Sequence, residues 1–471
     1  MMIYTRRKKG FFYYFKTLIY AIIALSVVLY FYKTGTPKKT FDAEKILSES
    51  ELKNKTFAAE VKEIETDGVK AYLMEEHSNP IVSLSFKFKN AGSAYDPKGK
   101  FGLANISSDL IIEGAGRYSE QALKDLMEEN GIKIDFSISR DDFFGSMIMP
   151  KHNLKTAVSL LKQIMYSPRL PEKQLEIIKA QNIKSLELQK ENPNSELSLK
   201  AAEKLYGSHP YSRNPTGTKE DIKKLSASDI RTYLNNIFTK QNLIIGISGN
   251  LSEEESLRLL KDVFAALPEN GKNQPLTKFE YTSNGDEFNI KRDIPQVIAT
   301  FSAQGVYRED KDFYPLYLAN YILGESGLTS RLNKTIREEN GLTYGIYTAL
   351  TYSDSAALIR GGFSADFDNY EKAKQLLLEE WQKMAQLGIS AEELEKTKKS
   401  LIDSFNLRFA DISVVSEILL AMQEYNLGLD FLQKRNDYIK NITLNEVNEA
   451  AARYFGAAPD FVTIGKERKK D

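Results

Sequence analysis

The chain contains 471 residues, with 64 Lys and Arg against 64 Asp and Glu, three histidines and no cysteine. This length exceeds what one hydrophobic core holds, so we expect two or more domains of about 100–250 residues. A net charge of zero, with no long basic block in the globular part, argues against a nucleic-acid-binding protein. The missing cysteine excludes disulfides, thiolate zinc sites and cysteine nucleophiles. Because His77, His152 and His209 are far apart in the chain, a helical two-histidine zinc site is also excluded.

The first predicted element is a run of 22 residues, Phe11 to Tyr32, in which Lys16 is the only charged residue. A helix of that length reaches about 33 Å, enough to cross a bilayer core, and aromatic residues crowd both of its ends. The run predicts a transmembrane anchor within residues 1–36. The alternative is a cleaved secretory signal, but no small-x-small cleavage site follows the run. More basic residues precede its apolar part than follow it, which favours a cytoplasmic N-terminus. In a bacterium this predicts a single-pass protein of the inner membrane whose main domain is periplasmic.

After a polar tether at 37–55, the chain contains an internal repeat. The segment LMEENGI at 126–132 recurs as IREENGL at 336–342, and IKKLSASDI at 222–230 resembles IKNITLNEV at 439–447. Two matches in the same order, at offsets of 210 and 217, indicate a duplication. We therefore predict a first half at 56–266, a Pro/Gly/Asn-rich linker at 267–280 and a second half at 281–471.

Within each half, hydrophobic periodicity predicts a strand, a helix, two strands, several helices and a last strand. The predicted helices cover 103–112, 120–129, 154–164, 171–190, 370–386 and 391–409. The predicted strands include 82–88, 132–138, 243–246 and 461–465. Strands and helices neither alternate strictly nor segregate, which indicates an α+β fold with two α/β halves rather than a doubly wound sheet.

Three segments carry a resemblance to a known family: GLANISSD at 102–109, YGSHPY at 206–211 with Gly217 and Thr218, and SRLNKTIREENGLTY at 330–344. Together they resemble the insulinase/pitrilysin zinc peptidases, in particular the short bacterial members and the mitochondrial processing peptidase subunits. The resemblance covers about residues 60 to 465. It implies two homologous insulinase-like halves that form a clamshell around a substrate cavity, here preceded by the predicted transmembrane helix.

Active members of that family carry H-x-x-E-H on their first helix, where the histidines bind zinc and the glutamate activates water. In this chain the corresponding positions are Asn105, Ser108 and Asp109, and the third ligand position is Ser185, unless the register slips to Glu187. Asn105, Ser108 and Asp109 share one helical face. Their oxygens are too few for a Mg²⁺ or Ca²⁺ site, which favours a polar face lining a wet cavity. The resemblance therefore implies a degenerate zinc motif, no metal bound by this chain and no peptidase activity of the chain alone.

Arg337 and Tyr344 match a second motif of the family, in which an arginine and a tyrosine of the second half contact the substrate backbone and stabilise the oxyanion. At the repeat offset of 210, the first half has Met127 and Ile134 at these positions, so the fold itself does not demand a cation and a phenol there. The alternative interpretation is a solvated arginine and a half-buried strand tyrosine without a functional role.

Together the two motifs predict the non-catalytic, substrate-binding subunit of a membrane-anchored heterodimeric zinc peptidase that degrades or processes peptides. The expected partners are a homologous zinc-bearing subunit, a peptide substrate and the membrane, but not nucleic acid. Zinc is expected in the partner subunit. The alternative function is that of an inactive homologue serving as a scaffold or a peptide-binding chaperone.

Overall fold

The computed structural model describes residues 60–271 and 273–466. The predicted anchor and tether lie outside the described residues. Within the described ranges, no helix combines the length and the apolar character needed to cross a membrane.

In residues 60–266, the described part of the first half, there are six strands and eight α-helices. The strands are β1 (Val61–Thr66), β2 (Val69–Glu75), β3 (Ile81–Phe88), β4 (Lys133–Ile138), β5 (Phe143–Pro150) and β6 (Leu243–Gly249). The helices are α1 (Leu103–Leu110), α2 (Glu120–Glu129), α3 (Leu154–Tyr166), α4 (Glu172–Glu191), α5 (Pro193–Tyr206), α6 (Lys219–Lys224), α7 (Ala227–Ile237) and α8 (Glu253–Phe264). One sheet holds all six strands in the order β1-β2-β6-β3-β5-β4.

In the second half, the structure describes five strands and six α-helices up to residue 466. The strands are β7 (Glu287–Lys291), β8 (Gln296–Gln304), β9 (Ile346–Tyr352), β10 (Ala357–Asp366) and β11 (Asp460–Gly465). The helices are α9 (Phe313–Asn320), α10 (Tyr370–Leu387), α11 (Ala391–Leu407), α12 (Ile412–Glu424), α13 (Phe431–Asn441) and α14 (Leu444–Tyr454), with π-helical turns at Tyr321–Glu325 and Asn333–Glu339. The sheet order is β7-β11-β8-β10-β9.

The two sheets follow one plan, which confirms the duplication predicted from the sequence. In each sheet the last strand of the half pairs parallel with one neighbour and antiparallel with the other, as β6 does with β2 and β3 and as β11 does with β7 and β8. A packing detail repeats as well. A Cβ atom on Gly145 or on Gly361 would lie 2.1 Å from the ring of the cross-strand Phe86 or Phe301, so each ring lies flat across a glycine.

The helices predicted at 103–112, 120–129, 154–164 and 171–190 are confirmed as α1 to α4, and those at 370–386 and 391–409 as α10 and α11. Local signals explain where α7, α8 and α11 begin. Ser226, Ser252 and Ser390, which precede these three helices, each form a capping box with an acidic residue three positions later, which satisfies free amides of the first turn. The mixture of sheets and helices confirms the expected α+β halves.

Each half packs one of its helices against the sheet of the other half. Strand β3 turns Leu84, Phe86 and Phe88 into its own core and Ser83, Ser85 and Lys87 to the opposite face. Helix α12 of the second half covers that opposite face, where the Ser416 hydroxyl lies 2.9 Å from Ser83 Oγ and 2.7 Å from Ser85 Oγ. Helix α5 of the first half packs in return against β8 and β11. Each half therefore completes the other.

Candidate functional site

The start of helix α1 is fixed by a buried carboxylate and a glycine. Asp96 accepts hydrogen bonds from the backbone amides of Gly102, at 2.7 Å, and Ala104, at 2.9 Å. Burial raises the pKa of Asp96 to about 7, although these amides favour its ionised form. Gly102 has φ of 98°, and a Cβ there would lie 2.6 Å from the carbonyl oxygen of Thr216. The helix that carries the degenerate zinc motif is thus held in one orientation.

The motif positions of α1 are bonded to one another and to helix α4. Asn105 Nδ2 donates to Asn182 Oδ1 at 2.7 Å, and Asn182 Nδ2 donates to the carbonyl oxygen of Ile178 at 3.0 Å. Ser108 is buried and donates to the carbonyl oxygen of Asn105 within its own helix. Asp109 remains accessible. Partial burial raises its pKa, and a hydrogen bond from Asn182 opposes that rise. A side-chain network therefore links α1 to α4.

The predicted third ligand position does not join this network. Ser185 is exposed on α4, and the amide of Gln189 lies 3.5 Å from its hydroxyl. Glu187 instead pairs with Lys219 at 3.0 Å, and this hydrogen bond lowers the pKa of its carboxyl. The residue that meets Asn105 is Asn182, which the sequence reasoning missed. The available signal was its position one helical turn before Ser185, on the same face of α4.

The donors in this region do not suit zinc. Zinc sites use histidine nitrogen, thiolate or carboxylate ligands, whereas the network around Asn105 and Asn182 offers amides, the Ser108 hydroxyl and the single carboxylate of Asp109. In the described part of the chain, no cluster of three or more histidine, aspartate and glutamate side chains is arranged to hold a metal ion. No metal-dependent step is derived for these residues.

The arginine and tyrosine of the second motif are exposed, unlike the hydrogen-bonded positions of the zinc motif. Arg337 lies exposed on the π-helical turn Asn333–Glu339, and within the described ranges its guanidinium makes no hydrogen bond and no ion pair. Tyr344 lies between that turn and β9 with 88% of its surface exposed, and its hydroxyl has no hydrogen-bond partner among the described residues. Both side chains are therefore free to contact another molecule.

The backbone beneath these two residues is held firmly. The buried Asn333 donates from Nδ2 to the carbonyl oxygen of Ile346 at 2.5 Å and accepts from the amide of Ile346 at 3.3 Å. Thr343 Oγ1 donates to the carbonyl oxygen of Ser364 on β10 at 2.7 Å. These bonds attach the segment between Arg337 and Tyr344 to the second sheet, so that the loop is fixed while its functional side chains remain free.

A cavity of about 610 Å³ begins next to Tyr344, at Gly345. Strands β8, β9 and β10 form its floor and helix α5 forms one wall. On the face of the sheet that lines the cavity, the small residues Ala349 and Gly362 leave room. Strand β9 is the last strand of its sheet, so one side of its backbone is not used by the sheet. The cavity and this edge give an extended peptide a place to lie.

Two family models match the chain. The model of insulinase, peptidase family M16, matches residues 70–219, and the model of the peptidase M16 inactive domain matches residues 224–401. A non-peptidase homologue, YmxG of Helicobacter pylori (strain ATCC 700392 / 26695), is 26% identical over 401 residues, which is 84% of this chain and 91% of the relative. An uncharacterized zinc protease, YmxG of Bacillus subtilis (strain 168), is 22% identical over 322 residues, covering 67% and 76%.

The fold also matches solved structures. A peptidase M16 inactive domain from Pseudomonas fluorescens superposes with a TM-score of 0.81 at 24% identity, over 87% of this chain and 99% of that one. A protease from Helicobacter pylori superposes with a TM-score of 0.76 at 17% identity, over 86% and 99%. These similarities establish the fold alone. The chemistry has to be inferred from the residues described above.

Proposed function

The chain belongs to the M16 family of insulinase-like peptidases, and on that basis we propose that it is the non-catalytic, substrate-binding subunit of a heterodimeric zinc peptidase. The observation that carries this proposal is the state of Arg337 and Tyr344, which are exposed and unpartnered among the described residues on a backbone that Asn333 and Thr343 hold in place. An exposed guanidinium and an exposed phenol on a fixed backbone can donate hydrogen bonds to the carbonyl oxygens of a ligand.

The two residues have distinct roles in this proposal. The Arg337 guanidinium donates hydrogen bonds to backbone carbonyl oxygens of an extended peptide and so sets its position along β9. The Tyr344 hydroxyl donates to the oxygen that becomes negative when the scissile carbonyl is attacked. A donor aimed at that oxygen lowers the barrier because its bond strengthens in the transition state.

The remaining chemistry belongs to the partner. Asn105, Ser108 and Asp109 supply neither the ligands nor the base, so the proposed partner is a homologous chain that carries H-x-x-E-H. The H-x-x-E-H residues of that partner would hold zinc, which would supply polarisation of the carbonyl and activation of a water molecule. We propose further that the 1–36 anchor keeps the pair at a bacterial inner membrane, with the peptidase body in the periplasm.

The test is reconstitution. The full chain is co-expressed with the H-x-x-E-H homologue of the same organism, and the complex is isolated through a tag on this chain. We expect the two chains to co-purify, and we expect Arg337→Ala to lower kcat/KM for a peptide at least about tenfold, since a charge-assisted hydrogen bond is lost. Lys334→Ala, which removes an exposed cation from the same turn, is the matched control. Unchanged activity in Arg337→Ala, or no partner in the pull-down, would refute the proposal.

A second function is favoured by the name of one relative, the non-peptidase homologue of Helicobacter pylori. In that case the chain is a scaffold or a peptide-binding chaperone. The same preparation separates the two functions. If the chain is a chaperone, it binds the peptide through Arg337, and the purified complex does not cleave that peptide.

A further inference from the structure

The cavity between α5 and strands β8, β9 and β10 contains a single charged side chain. Among the described residues that line its volume of about 610 Å³, Arg360 on β10 is the one cation, and none is acidic. Arg360 is partly buried and lies opposite Ala349 on β9. Gly362 follows it on the same face of the strand. Because both neighbours are small, the guanidinium has room for a ligand beside it.

Arg360 has no counter-ion within the described chain, where its guanidinium makes no hydrogen bond and no ion pair. The carboxylates on the same face of the sheet are already bonded or distant. Asp460 on β11 accepts from the Tyr281 hydroxyl at 2.6 Å and from two backbone amides. Asp366, at the exposed end of β10, accepts from Gln296 at 3.5 Å. A partly buried cation without a counter-ion is unfavourable, so this site favours a ligand that brings an anion.

The internal repeat shows that the fold does not require an arginine at this position. Gly145 and Gly361 correspond to each other, since each lies beneath the phenylalanine ring of the cross-strand residue. The residue before each glycine therefore corresponds as well, and it is Phe144 in the first half and Arg360 in the second. The cation is thus a property of the second-half cavity and not of the shared plan.

The distance between Arg360 and Tyr344 follows from the strand register. Ala349, the cross-strand neighbour of Arg360, is five residues after Tyr344. At about 3.3 Å per residue, the two levels are about 17 Å apart along β9. Arg360 therefore cannot contact the peptide bond that Tyr344 contacts. An extended peptide beside β9 has the same rise, so Arg360 is level with a residue about five positions away from the one at Tyr344.

We infer that Arg360 binds a carboxylate of the bound peptide, about five residues along the peptide from the residue that contacts Tyr344. A carboxylate is the anion that a peptide itself carries, and its two oxygens match the fork of a guanidinium. It comes from an acidic side chain or from the C-terminus of the peptide. The inference rests on the proposed function and deepens it, because it names peptides with a carboxylate at this distance as the substrate class.

The test measures binding of labelled peptides to the full chain by fluorescence anisotropy at neutral pH. All peptides are about 12 residues long, carry an uncharged dye and are otherwise neutral. In the first set the C-terminus is amidated, and one glutamate is moved along the sequence with glutamine as the reference at each position. In the second set, without glutamate, a free C-terminal carboxylate is compared with the amide. We expect a carboxylate peptide of one set to bind at least about tenfold more tightly than its neutral reference, which identifies the source.

Two substitutions test whether Arg360 causes this preference. Arg360→Gln should reduce it to between about one and three. Ala349→Glu places a carboxylate opposite Arg360 and should reduce it equally, and this variant decides the question if Arg360→Gln fails to fold. Arg258→Gln, which removes an exposed cation from α8, is the control and should leave the preference unchanged.

Three results would overturn the inference while peptide binding by Arg337 stands. They are equal binding of carboxylate and neutral peptides by the unmodified chain, a preference of the same size at every glutamate position, and a preference that survives both substitutions. If no peptide binds, the proposed function fails and this inference falls with it.

Discussion

The segment 126–134 of the first half and the segment 336–344 of the second are copies of one repeat. At two corresponding positions, however, the side chains are buried in the first copy and exposed in the second. Met127 and Ile134 are 8% and 3% exposed and belong to the core of their half. Their counterparts Arg337 and Tyr344 are exposed, Tyr344 to 88%. The strands that follow, β4 and β9, occupy the same edge position of their sheets. The shared plan therefore explains where these residues lie, but not their chemistry.

The zinc-motif helix adds a second contrast. Asn105 and Asn182 satisfy each other, and Ser108 bonds to its own helix, whereas Arg337 and Tyr344 have no partners within the described chain. Polar groups that satisfy one another contribute to stability. Exposed polar groups on a fixed backbone contribute little to stability and remain available to a ligand. We therefore expect substitutions at the two motifs to separate into effects on stability and effects on activity.

The largest effect is expected at Tyr344. Tyr344→Phe should lower kcat of the reconstituted pair about 100-fold or more, because one donor to the oxyanion is lost. The free energy of unfolding should change by less than about 0.5 kcal/mol, since the hydroxyl has no partner within the described ranges. Steady-state kinetics and urea denaturation measure the two quantities. Tyr438→Phe, a phenol 44% exposed on α13, is the control. A Tyr344→Phe protein that is destabilised but fully active would contradict the expectation that Tyr344 acts on activity and not on stability.

A smaller effect is expected at Asn182. Asn182→Ala removes the acceptor of Asn105 Nδ2 and should lower the free energy of unfolding by about 1–2 kcal/mol. Affinity for a peptide substrate should stay within about twofold, because Asn182 does not contact Arg337. Denaturant titration with Gln181→Ala, an exposed neighbour on α4, as the control checks the first part. A large loss of peptide affinity with unchanged stability would show that the α1–α4 network has a role in binding.

The smallest effect is a pH dependence at Asp109. Partial burial raises its pKa above the ordinary value of 3.8, so the folded chain binds this proton more tightly than the unfolded chain. The stabilising contribution is therefore fully present below pH 3.8 and is lost as the pH rises through the folded pKa. The unfolding free energy of the unmodified chain, minus that of Asp109→Asn, should fall as the pH rises above 3.8, by less than about 0.5 kcal/mol in total. A difference that rises with pH would contradict this assignment.

Much of the fold was predictable because its signals are local. Helical periodicity gives the bounds of α10 and α11 to within two residues, and the two repeat matches predict the duplication. The family resemblance gives Ser185 as the third ligand position, whereas Asn182, one helical turn earlier, is the residue of α4 that meets Asn105. Packing against α1 decides which turn of α4 lies opposite Asn105.

Contacts between the halves could not be predicted. Ser83 and Ser416 are 333 residues apart, and nothing in the apolar pattern of α12 states which sheet it covers. Asp142 and Glu424 also come from different halves, and Lys87 pairs with both of them. Long-range pairs of this kind depend on the relative placement of the two sheets, which local periodicity does not encode.

Helix α12 is synthesised after the first sheet that it covers, so this packing also sets an order of folding events during translation. Strand β6 is complete at Gly249, but the helix that covers the serine face of its sheet ends only at Glu424. At about 5–20 residues per second, that face stays uncovered for about 10–30 s of elongation. A nascent chain thus displays an unfinished sheet for a defined interval, during which a chaperone, or another nascent copy, competes with its own α12. Translation speed across residues 250–424 becomes a determinant of yield, and slow codons there lengthen the period of risk.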